Sequence, residues 1–242
     1  MRRYFARHMN SLRLTKWGAP DIPAKGPIIV YSNHSSWWDA VVYIIGSDVL
    51  FHKYECYAPI DADMLKQYGI FRRIGAFAVQ PGTSRGTSDF LHASRVVLSS
   101  PQRALWLTAQ GRFADVRERP LDLKAGLTRL IEFAPGCQVL PLAIEYSFWL
   151  ERGPEAFLAF GPSLRGHDLL QMSRKERLRH LEEHLAATME RLSADVESRD
   201  PGRFSSLAGG KAGIGGVYDG WRRVMAALHG RRFDASHEGR ST

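Results

Sequence analysis

Cysteine is scarce: Cys56 and Cys137 are the only two in 242 residues, and neither sits in a C-x-x-C or His-rich neighbourhood. That spacing suggests neither a disulfide framework nor a metal site, and it favours a reducing, cytoplasmic setting. Long apolar runs are missing as well. The longest candidate, residues 40–51, falls short of the roughly 20 residues a bilayer-spanning helix needs. The first ten residues are basic, and neither a long apolar region nor a small-residue cleavage site follows them, so no signal peptide is expected. No internal repeat is present, and the glycines between 209 and 216 match no complete phosphate-binding fingerprint.

Acidic residues are too few to balance the basic ones, 25 against 33, which leaves a formal charge of +8. Such a surplus calls for an acidic partner: nucleic acid, an anionic membrane surface, a phosphorylated substrate or an acidic carrier protein. Charge alone does not choose among these. No RNP, KH, zinc-finger or helix-turn-helix pattern accompanies it, so no nucleic-acid partner is expected.

What the chain does have is enough apolar content, 44%, for one sizeable core. Four short apolar runs, 28–31, 104–107, 139–144 and 156–160, read as strands bounded by Gly, Pro or polar residues. Helical segments are expected at 37–45, 88–98 and 124–134. The clearest helix is 174–197, with Leu178, Leu181, Leu185, Met189, Leu192 and Val196 three or four residues apart and a Ser173/Glu176 capping-box signature. This alternation predicts an α/β fold, a sheet covered by helices. The expected organisation is a basic amphipathic segment at 1–24, a main domain at 25–199 and a Gly-rich extension at 200–242 with a short helix near 218–228.

In the opening segment, Tyr4, Phe5, Met9 and Leu12 fit one side of a helix, while Arg2, Arg3, Arg7, Arg13 and Lys16 supply positive charge. Such a helix either lies in a membrane interface or docks on the domain's own core.

The stretch with most chemistry is Asn33-His34-Ser35-Ser36-Trp37-Trp38-Asp39, directly after the first apolar strand. Positions five apart on a helix point roughly 140° away from each other, so His34 and Asp39 meet only if His34 sits in a turn and Asp39 in the first helical turn beyond it. Ser35 or Ser36 as N-cap supports that arrangement, and a carboxylate is favoured near the helix's positive end. A His oriented by an Asp can take a proton from a hydroxyl near neutral pH; the alternative is a capping or surface histidine. The same spacing recurs as His229/Asp234, but in a Gly- and Arg-rich tail with no strand before it, which reads as solvated chain.

Four blocks in order carry a resemblance. Asn33-His34-x-Ser36-x-x-Asp39 resembles the first motif of the glycerolipid and lysophospholipid acyltransferases, the family that includes bacterial 1-acyl-glycerol-3-phosphate acyltransferases. Residues Gly75 to Val79 resemble the second motif, Gln110-Gly111 with Lys124-Ala125-Gly126 the third, and Val139-Leu140-Pro141-Leu142-Ala143 the fourth. The resemblance covers roughly residues 25–150, with the helix to 197 as a closing element. It implies the glycerol-phosphate acyltransferase-like fold, a mixed central sheet flanked by helices. It also implies direct O-acyl transfer, in which His34, held by Asp39, takes the proton of an acceptor hydroxyl that attacks the thioester of acyl-CoA or acyl carrier protein. Asn33, Ser36, Gly75, Gln110, Gly111, Arg112 and Lys124 are the substrate-binding positions it suggests. No cofactor is expected beyond the thioester co-substrate; the partners are that donor, a lipid acceptor and an anionic membrane at the inner face of the cell membrane. Backbone N–H groups near Gly111 are candidate donors to the developing oxyanion.

The sequence departs from the family where an acceptor phosphate is usually held. Pro81, preceded by Gln80, stands where the second motif usually has Arg, and Ala109-Gln110-Gly111-Arg112-Phe113 replaces the usual Pro-Glu-Gly-Thr-Arg. Arg112 with Arg117, Arg119 or Arg85 either restores those contacts or is solvated surface. The acceptor expected is therefore other than ordinary lysophosphatidic acid. Trp37 and Trp38 suit an acyl channel, a membrane-facing rim or the core, and Pro141 is expected to shape a strand end. The altered motifs also leave open an inactive lipid-binding relative of the same fold.

Overall fold

Apolar alternation and its tertiary partners turn the chain into one mixed sheet with helices on both faces. The computed structural model describes residues 1–149 and 152–209. The four expected strands form, slightly extended, as β2 (Ile28–Ser32), β5 (Arg103–Thr108), β6 (Gln138–Ser147) and β7 (Glu155–Phe160). Five strands were not expected: β1 (Ser11–Thr15), β3 (Glu55–Asp61), β4 (Ala76–Val79), β8 (Leu164–Arg165) and β9 (Phe204–Gly209). The helices are α1 (Arg2–His8), α2 (Asp39–Leu50), α3 (Ala62–Gln67), α4 (Ser84–Leu98), α5 (Gly126–Phe133), α6 (Gly166–Leu169) and α7 (Arg174–Ser198), with 3-10 turns at Gly69–Ile74 and Pro201–Arg203. The helix expected near 218–228 and the His229/Asp234 pair lie outside the described residues.

The N-terminal segment corrects one expectation. Its helix stops at His8, and Leu12 and Leu14 alternate with Arg13 on a strand instead of continuing a helical face. Tertiary pairing overrides helix propensity here, because β1 runs parallel to β7 from Ser11↔Glu155 to Leu14↔Leu158. Arg13 pairs with the buried Glu155 carboxylate at 2.7 Å and lies over the Trp149 ring at 5.1 Å. Phe5 and Met9 are buried, so α1 docks on the core, while Tyr4 remains 43% exposed. With β9 antiparallel to β1, the sheet draws strands from both flanks of residues 25–199.

The strand order is β4-β3-β5-β2-β6-β7-β1-β9, with β8 against β6. From β4 to β6 the strands are parallel, and β2 is buried on both faces. On one face Ile29, Tyr31, Leu105 and Val139 pack with apolar residues of α4, α5 and α7; on the other, Ile28, Val30, Trp106 and Leu140 pack with those of α1 and α2. The predicted capping box starts α7, which buries Leu181, Leu185, Met189, Leu192 and Val196; truncating any one of the leucines to Ala costs about 2–5 kcal/mol. Pro141 sits inside β6 rather than at its end, where the strand passes from parallel pairing with β2 to antiparallel pairing with β7.

The sheet splits between β3 and β5. Strand β3 pairs with β5 only over Glu55 to Tyr57; from Ala58 to Asp61 it pairs with β4 alone. Ala58 donates its N–H to Gly75 on the β4 side at 3.2 Å. Successive residues of a strand turn their N–H groups to opposite neighbours, so the next donor would face β5, and that residue is Pro59, which has none. The ladder ends there and a cleft opens between the two strands.

Candidate active site

The cleft lies at the carboxyl ends of the parallel strands, where open α/β sheets place their ligands. It widens into a cavity of about 350 Å³. Ala58, Pro59, Ile60 and Asp61 line one side, Trp106, Leu107 and Thr108 the other, and Trp37, Ala40, Tyr43 and Ile44 close it from α2 and the turn before it. Among the described residues its wall is mostly apolar, and no Lys or Arg lines it. His34, Asp39 and Phe113 also line it.

His34 sits in the turn after β2, and Asp39 is the first residue of α2, so the two meet as the spacing requires. His34 Nδ1 and Asp39 Oδ2 are 2.7 Å apart. With the carboxylate as acceptor, Nδ1 carries the ring proton and Nε2 is left as the acceptor atom. Asp39 is 1% exposed, and its carboxylate also accepts from the Ser35 and Ser36 N–H groups at 3.0 and 3.2 Å and from the Tyr146 hydroxyl at 2.6 Å. Burial and the Asp39 carboxylate push Tyr146 well above the usual phenol range. That direction agrees with the hydroxyl keeping its proton and donating it to Asp39.

Of the expected substrate-binding positions, three hold the turn itself. The Asn33 side chain is buried and exchanges hydrogen bonds with the Ile144 backbone, 2.9 Å each way, which ties the end of β2 to β6. Ser36 Oγ accepts from the Trp38 N–H at 3.1 Å inside the turn, but α2 begins at Asp39 with Trp38 as its N-cap and no side-chain cap, so neither Ser35 nor Ser36 is the N-cap expected. Gln110, 1% exposed, accepts from the His34 N–H at 2.9 Å and donates to the Leu121 carbonyl at 3.0 Å. Gly75 has φ +86°, and a Cβ there would stand 2.1 Å from the Cys56 carbonyl oxygen, so it sets the approach of β4 to β3.

The remaining three lie on the exposed loop after β5. Gly111, at φ +63°, donates its N–H to Thr108 at 3.2 Å, so it is not an open oxyanion donor. Lys124 pairs with Asp122 at 3.0 Å, and Arg112 is engaged by Glu118 through both of its terminal nitrogens. The neighbouring arginines are likewise occupied: Arg117 forks onto Asp115 at 2.9 and 2.8 Å, and Arg119 donates to the Val116 and Glu118 carbonyls. Arg85 is 4.0 Å from Asp89 on α4. Phe113, in the family's usual Arg place, instead stacks on the His34 ring with centroids 4.2 Å apart.

Trp37 lines the cavity, whereas Trp38 stacks on Tyr4 at 5.6 Å and meets Phe5 edge-on, locking α1 to the start of α2. Sequence reasoning missed Tyr146, Asp61 and the cavity wall in β3. Tyr146 lies 107 positions from Asp39, and only the β2–β6 pairing brings it there.

The strand-turn-helix around residues 32–39 thus holds a histidine against a buried carboxylate at the rim of an apolar cavity. A family model described as acyltransferase matches residues 13–145, from β1 to near the end of β6. This chain belongs to the acyltransferase family and is a transferase. A search of curated proteins finds no match.

Proposed function

We propose that this protein moves a fatty acyl group from acyl-CoA or acyl carrier protein to a hydroxyl of a lysophospholipid or related lipid. The observation that carries the reading is the His34–Asp39 pair on the rim of the apolar cavity. His34 Nε2 takes the acceptor's hydroxyl proton as the oxygen attacks the thioester carbonyl. The C–O bond forms, the C–S bond breaks, and the departing thiolate takes the proton from the imidazolium. Asp39 stabilises that cation, with the Tyr146 hydroxyl and two backbone N–H groups fixing its position. A thioester is already activated, so orienting two substrates and moving one proton supplies a large part of the rate. Each methylene of the acyl chain buried against Ile44, Ile60 and Trp106 favours binding by about 0.8 kcal/mol.

The acceptor reaches this rim from an anionic membrane surface at the cytoplasmic face of the cell membrane. Tyr4, Tyr68, Ile74 and Phe113 are exposed, and Arg2, Arg3, Arg72 and Arg73 are exposed on α1 and the 3-10 turn. Ile44 and Ile74 line both the main cavity and a second hollow formed with Met1, Arg2 and Arg3, so the two elements flank one opening. Among the described residues no helix is long and apolar enough to cross a membrane, and this patch suits interfacial contact. The direct test is purified protein with a long-chain acyl thioester and a panel of lipid acceptors. Ester formation by the parent and its loss in His34→Ala support the reading; equal turnover by both contradicts it. Flotation with phosphatidylglycerol vesicles but not phosphatidylcholine vesicles is the expected membrane result.

A further inference from the structure

We infer that the acceptor's head group carries no phosphate monoester, being uncharged or ammonium-bearing, and that Phe113 and Asp61 select it. This deepens the acyl-transfer reading and rests on it. Phe113 stacks on the His34 ring and leaves 59% of its own surface exposed, so the exposed surface beside His34 is hydrocarbon where a cation would grip a dianion. The arginines of that loop are held by Glu118, Asp115 and backbone carbonyls, and Lys124 by Asp122. Arg72 and Arg73 are exposed but do not line the cavity.

The charged side chain opposite has the wrong sign for phosphate. Asp61 ends β3 and lines the cavity two strand positions from the strand of His34, at least about 10 Å away by strand spacing. Its Oδ1 accepts the Asp63 and Met64 N–H groups at 2.8 and 3.2 Å, starting α3. Its Oδ2 has no partner among the described residues. A second carboxylate at Asp39 makes the rim a poor host for a dianion. An ammonium is attracted to Asp61 and to an open aromatic face, and an uncharged head group is tolerated.

The test compares a lysophosphatidic acid, a monoacylglycerol and a long-chain amino alcohol of matched chain length as acceptors. The parent is expected to favour the last two over lysophosphatidic acid, the amino alcohol by about tenfold or more in kcat/KM, the worth of one charge-assisted interaction that the phosphate lacks. Phe113→Arg is expected to raise lysophosphatidic acid turnover by a similar factor. Asp61→Asn keeps an Oδ1 cap for α3 and is expected to lower only the amino alcohol's advantage. Trp37 and Trp106 line the cavity, so quenching of their fluorescence reads acceptor affinity in the same order even without turnover. A parent that binds and acylates lysophosphatidic acid best, with no gain in Phe113→Arg, overturns the acceptor class while leaving acyl transfer standing. Loss of the His34 dependence strikes the acyl-transfer reading itself.

Discussion

Tyr146 and Asp39 are joined by a 2.6 Å hydrogen bond between side chains 107 positions apart, one at the end of β6 and the other opening α2. The bond ties the end of β6, the strand beside β2, to the turn that holds His34. Tyr146 touches no reacting atom; it positions the carboxylate that orients His34. In Tyr146→Phe, kcat is expected to fall about tenfold with KM nearly unchanged, because a hydrogen bond to a charged group is lost while substrate contacts remain. An equal fall in thermal stability with unaltered kcat would instead make Tyr146 a packing residue.

Gln110 explains why this chain has an amide where the family usually has a carboxylate. Its oxygen accepts from His34 N–H and its nitrogen donates to the Leu121 carbonyl. A glutamate keeps the first bond and sets a buried anion against the carbonyl. Gln110→Glu is therefore expected to lose about 1–3 kcal/mol of stability, read as a lower urea midpoint, and to slow turnover through the displaced turn. A variant as stable and active as the parent would show that the bridge does not matter.

Cys56 lines the cavity, and burial pushes its thiol up to about 11. Cys137 is more deeply buried, pushed up to about 12. Iodoacetamide is expected to modify Cys56 slowly near pH 7, faster as pH rises toward 9, and to be excluded by a saturating long-chain acyl thioester. Mass spectrometry of the digested protein checks this; modification that ignores the thioester places the acyl chain elsewhere.

Glu132 supplies a pH dependence with a defined sign. Arg174 first, with Arg129 and Arg177, holds its carboxyl down to about 2 from its ordinary 4.5. A lowered carboxylate contributes stability that is present above 4.5 and is lost as pH falls through about 2. Arg177 is 4% exposed and also donates to the Thr128, Leu169 and Met172 carbonyls, so the ion pair ties α5, α6 and α7 together. Glu132→Gln is expected to be less stable than the parent at pH 6 and to converge with it toward pH 2 in urea titrations. A constant gap across that window contradicts the assignment.

Local pattern carried much of this fold but not all of it. Residues 28–31 and 139–144 announced buried strands because both faces are apolar, and Ser173 and Glu176 marked the start of α7. His34 and Asp39 were legible because five-residue spacing across a turn admits one geometry. Strands β3 and β4 were not, since Pro59 and the small or polar residues around them weaken any strand signal; their pairing is set by Gly75 and by neighbours far away in sequence. Asn33 and Gln110 were expected as ligand contacts and bond backbone groups of the turn and its neighbours; a buried amide that serves backbone looks, in sequence, like one that serves a substrate. Nothing in the sequence singled out Asp61, which the cleft places on the cavity wall.

Dependence of a lipid product on His34 tests catalysis at this site most directly. Lipids extracted from cells expressing the parent and His34→Ala at equal folded levels can be compared by mass spectrometry. The prediction is an acylated lipid whose mass exceeds its acceptor by one fatty acid minus one water, present with the parent and reduced about a hundredfold or more without the general base. The same species at equal abundance from both proteins would contradict catalysis by His34.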